Sequence, residues 1–314
     1  MTTLNELPHT FIETFLRHVT MIKFIGIDIF DQTENSFMKK YAKSVIILVC
    51  TAFMLLGQIL YVVKKDEIGA QFLEVVSSIP IILGVGQAVV KMLILMIKRN
   101  EIREVIMKIG RIWPTEIVND EKIITMRFLT QRLNFFGNGK NILILMDNTT
   151  TLHLPSTMAY LCGYIASELL LVALILDISA LLIFLKIDLE NIIHSSELQT
   201  IDEEDNCDDI KDIIILHQEL LSIADDVNRI FGMIIFTQVS FTSVVICCYG
   251  FMALVHYIQF ITVHRKLMFE IFILSYPGQM LADTSSDIGN AAYNCHWYER
   301  GINFRKYILV IITR

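Results

Sequence analysis

Two carboxylates, Glu168 and Asp177, interrupt an otherwise apolar stretch of this sequence between residues 160 and 185. The stretch is long enough to cross a lipid bilayer as a helix, which takes about 20 residues. An ionisable side chain at that depth is costly, so it usually pairs with another group or marks the path of an ion or a ligand. The two positions therefore predict either structural pairing or a counter-ion function.

No residue pattern in the chain is typical of catalysis. The motifs G-x-S-x-G, H-E-x-x-H and the phosphate-binding Walker sequence are absent from the 314 residues. The six cysteines form no C-x-x-C pair, so neither zinc nor redox chemistry is indicated. His217 has no serine, cysteine or metal-ligand partner at a useful spacing, which favours a packed helical histidine. We predict that the chain is not an enzyme and needs no cofactor or metal.

The elements that must carry these residues are long apolar blocks. The chain is 54% apolar and 19% charged, with a mean hydropathy of +0.55, whereas soluble domains average about 45–50% apolar and about 25% charged. The class predicted is all-α, a polytopic helical membrane bundle with about five to six spans. The predicted spans are residues 44–63, 75–97, 160–185, 231–255 and 267–281, with a doubtful one at 128–146.

Several segments qualify this pattern. Residues 128–146 contain Arg132 and Lys140, so we do not expect that segment to insert by itself. Lys91 lies near the end of the second span, where its long side chain is expected to reach the interface. Residues 188–228 predict an acidic polar loop with a helical pattern in its second part, and residues 98–132 a basic helical extension.

The N-terminal 43 residues predict an amphipathic helix rather than a signal peptide. Apolar residues recur there every three or four positions between charged ones, namely Leu4, Leu7, Phe11, Phe15, Val19 and Ile22. We expect this segment to pack on the bundle. Most Lys and Arg residues fall in segments that the predicted spans place on the same side of the membrane as the N-terminus. Because cytoplasmic loops are enriched in Lys and Arg, the N-terminus is predicted to be cytoplasmic. The one acceptor triplet for N-glycosylation, at Asn148, would then lie outside the cell. The net charge of −7 argues against a nucleic-acid partner.

Three segments carry a family resemblance. The run His217-Gln218-Glu219-Leu220-Leu221 precedes Phe231, Gln238, Ser240, Ser243 and Cys247, and the run from Ala291 to Glu299 contains Tyr293, Trp297 and Tyr298. These segments, together with residues 305–314, resemble the stretch entering the fifth span, the loop after the sixth span and the approach to the seventh span of insect odorant receptors. The likeness covers residues 158–314 by motif and residues 1–110 by pattern.

The resemblance implies seven spans, a cytoplasmic N-terminus and an odorant-gated cation channel formed as a hetero-tetramer with a common co-receptor. It implies a multi-pass protein of the plasma membrane in olfactory neuron dendrites, working in olfaction as a receptor and transducer. A long fourth helix that reaches the cytosol would place Asp177 near water. The implied odorant-lining residues are Phe72, Val76, Ile79, Tyr160, Tyr164, Met268, Phe272 and Tyr276. The implied subunit anchor contains His217, Leu220, Tyr293, Trp297 and Tyr298.

Two departures from the family pattern shape the expected function. The third span looks shortened or replaced, and the sequence stops where a seventh span would begin. We therefore expect a truncated odorant receptor that forms no competent channel as written. The alternatives are a gustatory receptor of the same fold, or a non-functional fragment or splice product. A transporter or a G-protein-coupled receptor is disfavoured because internal repeats and the D-R-Y and N-P-x-x-Y motifs are missing.

Overall fold

The computed structural model describes residues 7–12, 15, 22–23, 26–30, 37–64, 72–115, 119–137, 155–198, 205–253, 257–295, 297–299 and 301–313. In these residues all regular structure is helical. The helices are α1 (Phe37–Val63), α2 (Phe72–Ile97), α3 (Arg99–Ile112), α4 (Asp120–Gly137), α5 (Pro155–Leu198), α6 (Asp205–Ala253), α7 (Tyr257–Tyr293) and α8 (Ile302–Ile312), with a short 3-10 helix at Trp297–Glu299.

Four described helices are long and apolar enough to cross a membrane. The qualifying stretches are Tyr41–Val63 in α1, Val75–Ile97 in α2, Tyr164–Ile192 in α5 and Asp209–Met252 in α6. They correspond to four of the predicted spans. Helix α4 contains part of the predicted segment 128–146, and α7 contains all of the segment 267–281. Neither helix is among the four, so their crossing stays a prediction.

Helix α5 forms the centre of the bundle. It contacts α2, α4, α6 and α7, and nearly all of its side chains from Tyr164 to Leu189 are buried. A helix that is apolar on every side must be buried by lipid or by other helices, and here other helices surround it. Helix α1 shows the opposite pattern, because Ile46, Val49 and Phe53 are exposed on its outer surface. Such a surface is suited to lipid rather than to water.

The prediction of a polar loop is wrong for residues 188–198 and 205–212, whereas the helical pattern predicted for the second part of the segment 188–228 is confirmed. Helix α5 continues to Leu198 and α6 begins at Asp205, so both helices project beyond their apolar stretches. In α6 the buried side chains recur at helical spacing, as in Ile213, Leu220 and Ile223. Their burial against neighbouring helices holds this acidic segment in a helix.

The N-terminal segment packs on the bundle, as expected from its apolar periodicity. Leu7, Phe11 and Phe15 are buried, and the ring of Phe11 lies 5.4 Å from that of Trp113 at the end of α3. Gly110 of α3 makes room for this contact. A Cβ atom there would lie 2.9 Å from side-chain carbons of both Leu7 and Phe11. The segment is therefore fitted to a glycine-sized gap in α3.

Candidate functional site: a buried polar cluster between α2, α5 and α6

An ion pair lies in the interior between α2 and α5. The Lys91 ammonium donates a hydrogen bond to the Glu168 carboxylate, and the exposed fractions of the two side chains are 0% and 10%. The prediction that Lys91 reaches the interface is therefore wrong. Its side chain turns inward because α5 offers both a carboxylate and an aromatic face. Of the two alternatives predicted for Glu168, the structure contains the structural pairing, with Lys91 as the partner.

Tyr164 forms the second part of the same cluster. Its ring centroid lies 3.6 Å from the Lys91 ammonium nitrogen, and its hydroxyl accepts a hydrogen bond of 2.9 Å from the side-chain amide of Gln238. The Gln238 carbonyl in turn accepts a hydrogen bond from the side-chain amide of Gln87. All these side chains are buried, so one connected polar network joins three helices in the apolar interior.

The local sequence explains how the cluster is assembled. Gln87 and Lys91 are four positions apart on α2, as are Tyr164 and Glu168 on α5. Residues at this spacing lie on the same face of a helix, so each helix presents a polar pair to its neighbour. Gln238 of α6 closes the cluster from the third side. Gln87 had no predicted function, although its spacing to Lys91 in an apolar helix is a signal that could have identified it.

The contacts within the cluster restrict the class of ligand that it could bind. Its charges compensate each other, and the aromatic face of Tyr164 adds a cation–π contact to the ammonium. A carboxylic acid or an amine would have to displace one member of a tethered ion pair and leave the other buried without its partner. The arrangement is therefore better suited to orienting an uncharged ligand through hydrogen bonds than to binding an ion.

Asp177 lies two to three turns along α5 from Glu168, and its side chain is buried. The expectation that it lies near water is wrong in this fold, because other helices surround α5 at this point. Its Oδ2 atom has no hydrogen-bond partner among the described residues.

The predicted odorant-lining residues fall in different surroundings. Tyr164 belongs to the buried cluster, while Val76 and Ile79 are half-buried on α2. Met268 and Phe272 on α7 are exposed, each to 46%. The side chains of Phe72 and Tyr160 lie outside the described part of the structure.

Tyr276 of α7 has neighbours of its own. Its ring stacks on that of Phe272 with centroids 5.4 Å apart. On the side of α4, the guanidinium of Arg132 lies 4.9 Å from the Tyr276 ring centroid and 4.6 Å from that of Phe128. The structure therefore gives Tyr164 and Tyr276 contacts with different helices. A ligand-binding function for the predicted residues stays a prediction.

The predicted anchor residues are of two kinds. His217 and Leu220 are buried in the first half of α6, before the uncharged stretch that begins at Phe231, whereas Tyr293 and Tyr298 are exposed. The rings of Trp297 and Tyr298 meet edge to face at 6.3 Å. Their function in subunit assembly stays a prediction, and Asn148 lies outside the described residues.

Apolar helices of membrane-spanning length around a buried polar core define a multi-pass helical membrane protein. The chain belongs to the family described as 7tm Odorant receptor, whose sequence model matches residues 149–314, more than half of its length. This family of receptors favours the odorant over the gustatory alternative and agrees with the expectation of a non-enzyme.

Known sequences and structures extend this result. Odorant receptor 49a of Drosophila melanogaster is 28% identical over 117 residues, which are 36% of this chain and 30% of that protein. The chain thus aligns with about a third of the length of such relatives. The fold is similar to that of the insect olfactory receptor OR5 from Machilis hrabei, with a TM-score of 0.77 and 10% identity over 96% of this chain and 88% of the other. It is also similar to OR5 in complex with eugenol, with a TM-score of 0.75, 11% identity and coverages of 97% and 90%.

Proposed function

We propose that the protein is the ligand-binding subunit of an odorant-gated cation channel. The observation that carries this proposal is the hydroxyl of Tyr164, which is fixed in the interior by Gln238. Membership of the odorant receptor family supports the receptor function. A small volatile ligand is also consistent with the similarity in fold to an olfactory receptor whose structure contains eugenol.

The proposed ligand is neutral, largely apolar and small, with one group that forms a hydrogen bond. It would contact the side of the cluster formed by Tyr164, with Val76 and Ile79 of α2 as apolar walls nearer the start of that helix. Binding can open a channel only when the ligand binds the open arrangement more tightly than the closed one. The polar network reaches α6 through Gln238, so a change at Tyr164 is transmitted directly to a third helix.

Assembly and placement belong to the same proposal. The protein would join the odorant receptor co-receptor in a hetero-tetramer, with contacts from the anchor residues around His217 and Trp297. It would work in the plasma membrane of olfactory neuron dendrites. The exposed aromatic rings of Tyr293 and Tyr298 support the proposed subunit contact, because aromatic side chains are enriched in interfaces.

Current recording tests the proposed ligand site. The full-length product of the gene is co-expressed with an insect co-receptor, and cation currents are recorded for a panel of esters, ketones and phenols that includes eugenol. Tyr164→Phe should raise the half-maximal concentration of ligands that form a hydrogen bond by about five- to tenfold, since a buried hydrogen bond contributes about 1 kcal/mol. Tyr61→Phe on α1, which removes a tyrosine hydroxyl away from the cluster and from the anchor, is the control and should change nothing. A surface-expressed complex silent to the whole panel, or equal responses with phenylalanine at position 164, would contradict the proposal.

Glycosylation tests the proposed orientation. With a cytoplasmic N-terminus, the segment around Asn148 lies outside if α4 crosses the membrane. The protein should then lose mass on glycosidase treatment, and Asn148→Gln should abolish that shift. An unglycosylated Asn148 in a protein that carries a working acceptor sequence in the loop between α1 and α2 would exclude this topology.

A further inference from the structure

Arg132 of α4 differs from the four lysines that join helices in the described bundle through carboxylates. Lys91 pairs with Glu168, Lys108 with Asp226, Lys122 with Asp188 and Lys186 with Asp287. None of the ion pairs among the described residues includes Arg132, which is half-buried and contacts two aromatic rings instead. Among the described residues, therefore, no carboxylate pairs with this cation.

Among the described residues, the guanidinium of Arg132 has ring contacts but no hydrogen bond or ion pair at its N–H edge. Phe128 and Tyr276 have their ring centroids 4.6 Å and 4.9 Å from the guanidinium carbon. Aromatic contacts of this kind hold the planar group in place, whereas its N–H donors form the fork that matches the oxygens of a phosphate. The two rings thus act as a support that fixes the orientation of Arg132.

Two ion pairs indicate the level of Arg132 in the bundle. Lys122 joins α4 to Asp188 of α5, and Lys186 of α5 joins Asp287 of α7, so these groups lie in one layer. Arg132 is ten positions from Lys122, and Tyr276 is eleven positions from Asp287. Both distances correspond to about 15 Å along a helix, at a rise of 1.5 Å per residue. Arg132 and Tyr276 therefore lie at the same height above the layer, which agrees with their contact.

That height coincides with a change in the surface of α7. Before Tyr276 the large exposed side chains described on α7 are apolar, namely Met268, Ile271 and Phe272, whereas after it polar side chains such as Gln279 and Asp283 are exposed. On α4 the exposed side chains between the ion-pair layer and Arg132 are mixed, with Ile124 and Phe128 beside Arg127. Surfaces of this kind are typical of the boundary between hydrocarbon and headgroups.

We infer that Arg132, supported by Phe128 and Tyr276, binds the phosphate of an anionic membrane lipid between α4 and α7. In the proposed orientation this boundary faces the cytoplasmic leaflet, where anionic lipids concentrate. The inference rests on the chain lying in a membrane in that orientation and does not depend on odorant binding. It assigns Tyr276 to a lipid site instead of the odorant pocket.

Lipid retention tests this site without any odorant. The protein is purified in detergent and titrated with phosphatidylserine or phosphatidylcholine, and bound lipid is counted by native mass spectrometry. We expect the wild type to retain phosphatidylserine in preference to phosphatidylcholine. Arg132→Gln should weaken phosphatidylserine binding about tenfold or more, as for the loss of a hydrogen bond to a charged group. Arg127→Gln removes an exposed cation from the same helix and should leave the preference unchanged.

Further variants separate the guanidinium site from surface charge. Arg132→Lys keeps the positive charge but removes the paired N–H donors of the guanidinium, so it should weaken phosphatidylserine binding several-fold. Tyr276→Leu removes a supporting ring and leaves the charge of Arg132 intact, and it should also weaken the binding. Equal losses of phosphatidylserine binding in Arg127→Gln and Arg132→Gln, or unchanged phosphatidylserine binding in Arg132→Lys, would overturn the inference. Sodium octanoate and inorganic phosphate serve as free anions. Arg132-dependent binding of either one, without retention of phosphatidylserine, would also overturn the lipid assignment.

Discussion

The buried polar cluster and the ion-pair layer use the same kinds of side chain in different surroundings. In the cluster, the side chains of Lys91 and Glu168 are 0% and 10% exposed. In the layer, Lys186 and Asp287 are 30% and 53% exposed and their charged atoms are 3.2 Å apart. Water screens the second pair and not the first. Loss of one charge therefore destabilises the fold strongly only where water cannot take the place of its partner. The exposed pairs of the layer contribute little to stability, so other contacts must stabilise that region.

Apolar packing supplies that stability on the side of α3. Phe11 stacks on Phe15 and contacts Trp113, whose ring in turn meets Phe184 of α5 edge to face at 6.4 Å. Because all four side chains are buried, they form a continuous contact from the N-terminal segment to the central helix. The comparison thus predicts that substitutions in the cluster, in this apolar contact and in the layer have decreasing effects on stability.

The largest effect is expected from breaking the pair in the cluster. Glu168→Leu leaves Lys91 buried without its carboxylate, which should destabilise the fold by about 3–5 kcal/mol. The measurement is the fraction of monodisperse protein in detergent after heating. The double variant Lys91→Met with Glu168→Leu removes both charges and should recover most of the loss, since a buried pair can be replaced by apolar residues. Equal instability of the single and double variants would show that the pairing does not matter.

A smaller effect is expected from filling the gap at Gly110. Gly110→Leu pushes against Leu7 and Phe11, and overpacking of a close contact costs about 1–3 kcal/mol. Limited proteolysis should then cut the N-terminal segment faster, and the heating midpoint should fall. Gly57→Leu is the control, because a Cβ atom at Gly57 of α1 has no described atom within 4 Å. If both variants behave alike, the N-terminal segment does not stabilise the bundle through α3.

These differences also show which features were predictable from the sequence. The apolar stretches of α1, α2, α5 and α6 are local properties, so hydropathy located them. Pairing is not local. Lys91 and Glu168 are 77 positions apart, and Gln87 and Gln238 are 151 positions apart. No rule of spacing within one helix identifies such partners, which explains why the inward turn of Lys91 was missed.

The extended ends of α5 and α6 were missed for a related reason. The segment around Asp205 to Asp212 is acidic, and composition alone favours a solvated loop there. Only the burial of Ile210 and Ile213 against other helices turns this segment into part of a long helix. Tertiary packing therefore outweighs local polarity, as it does for α3 with its alternation of charged and buried residues.

The smallest effect is expected for exposed ion pairs, and Asp226 of α6 forms two of them. Its carboxylate accepts from Lys108 at 2.7 Å and from Arg229 at 2.8 Å, but the lysine and arginine side chains are 42% and 66% exposed. Asp226→Asn should therefore destabilise the fold by less than about 1 kcal/mol, and the difference from wild type should shrink further between low and high salt. The heating midpoint of both proteins at two salt concentrations measures this. Glu168→Leu should keep its full effect at both, because salt does not reach a pair shielded by three helices. A salt-insensitive loss at Asp226 as large as that at Glu168 would mean that an exposed ion pair stabilises the fold as much as the buried pair, and the contrast between buried and exposed pairs would disappear.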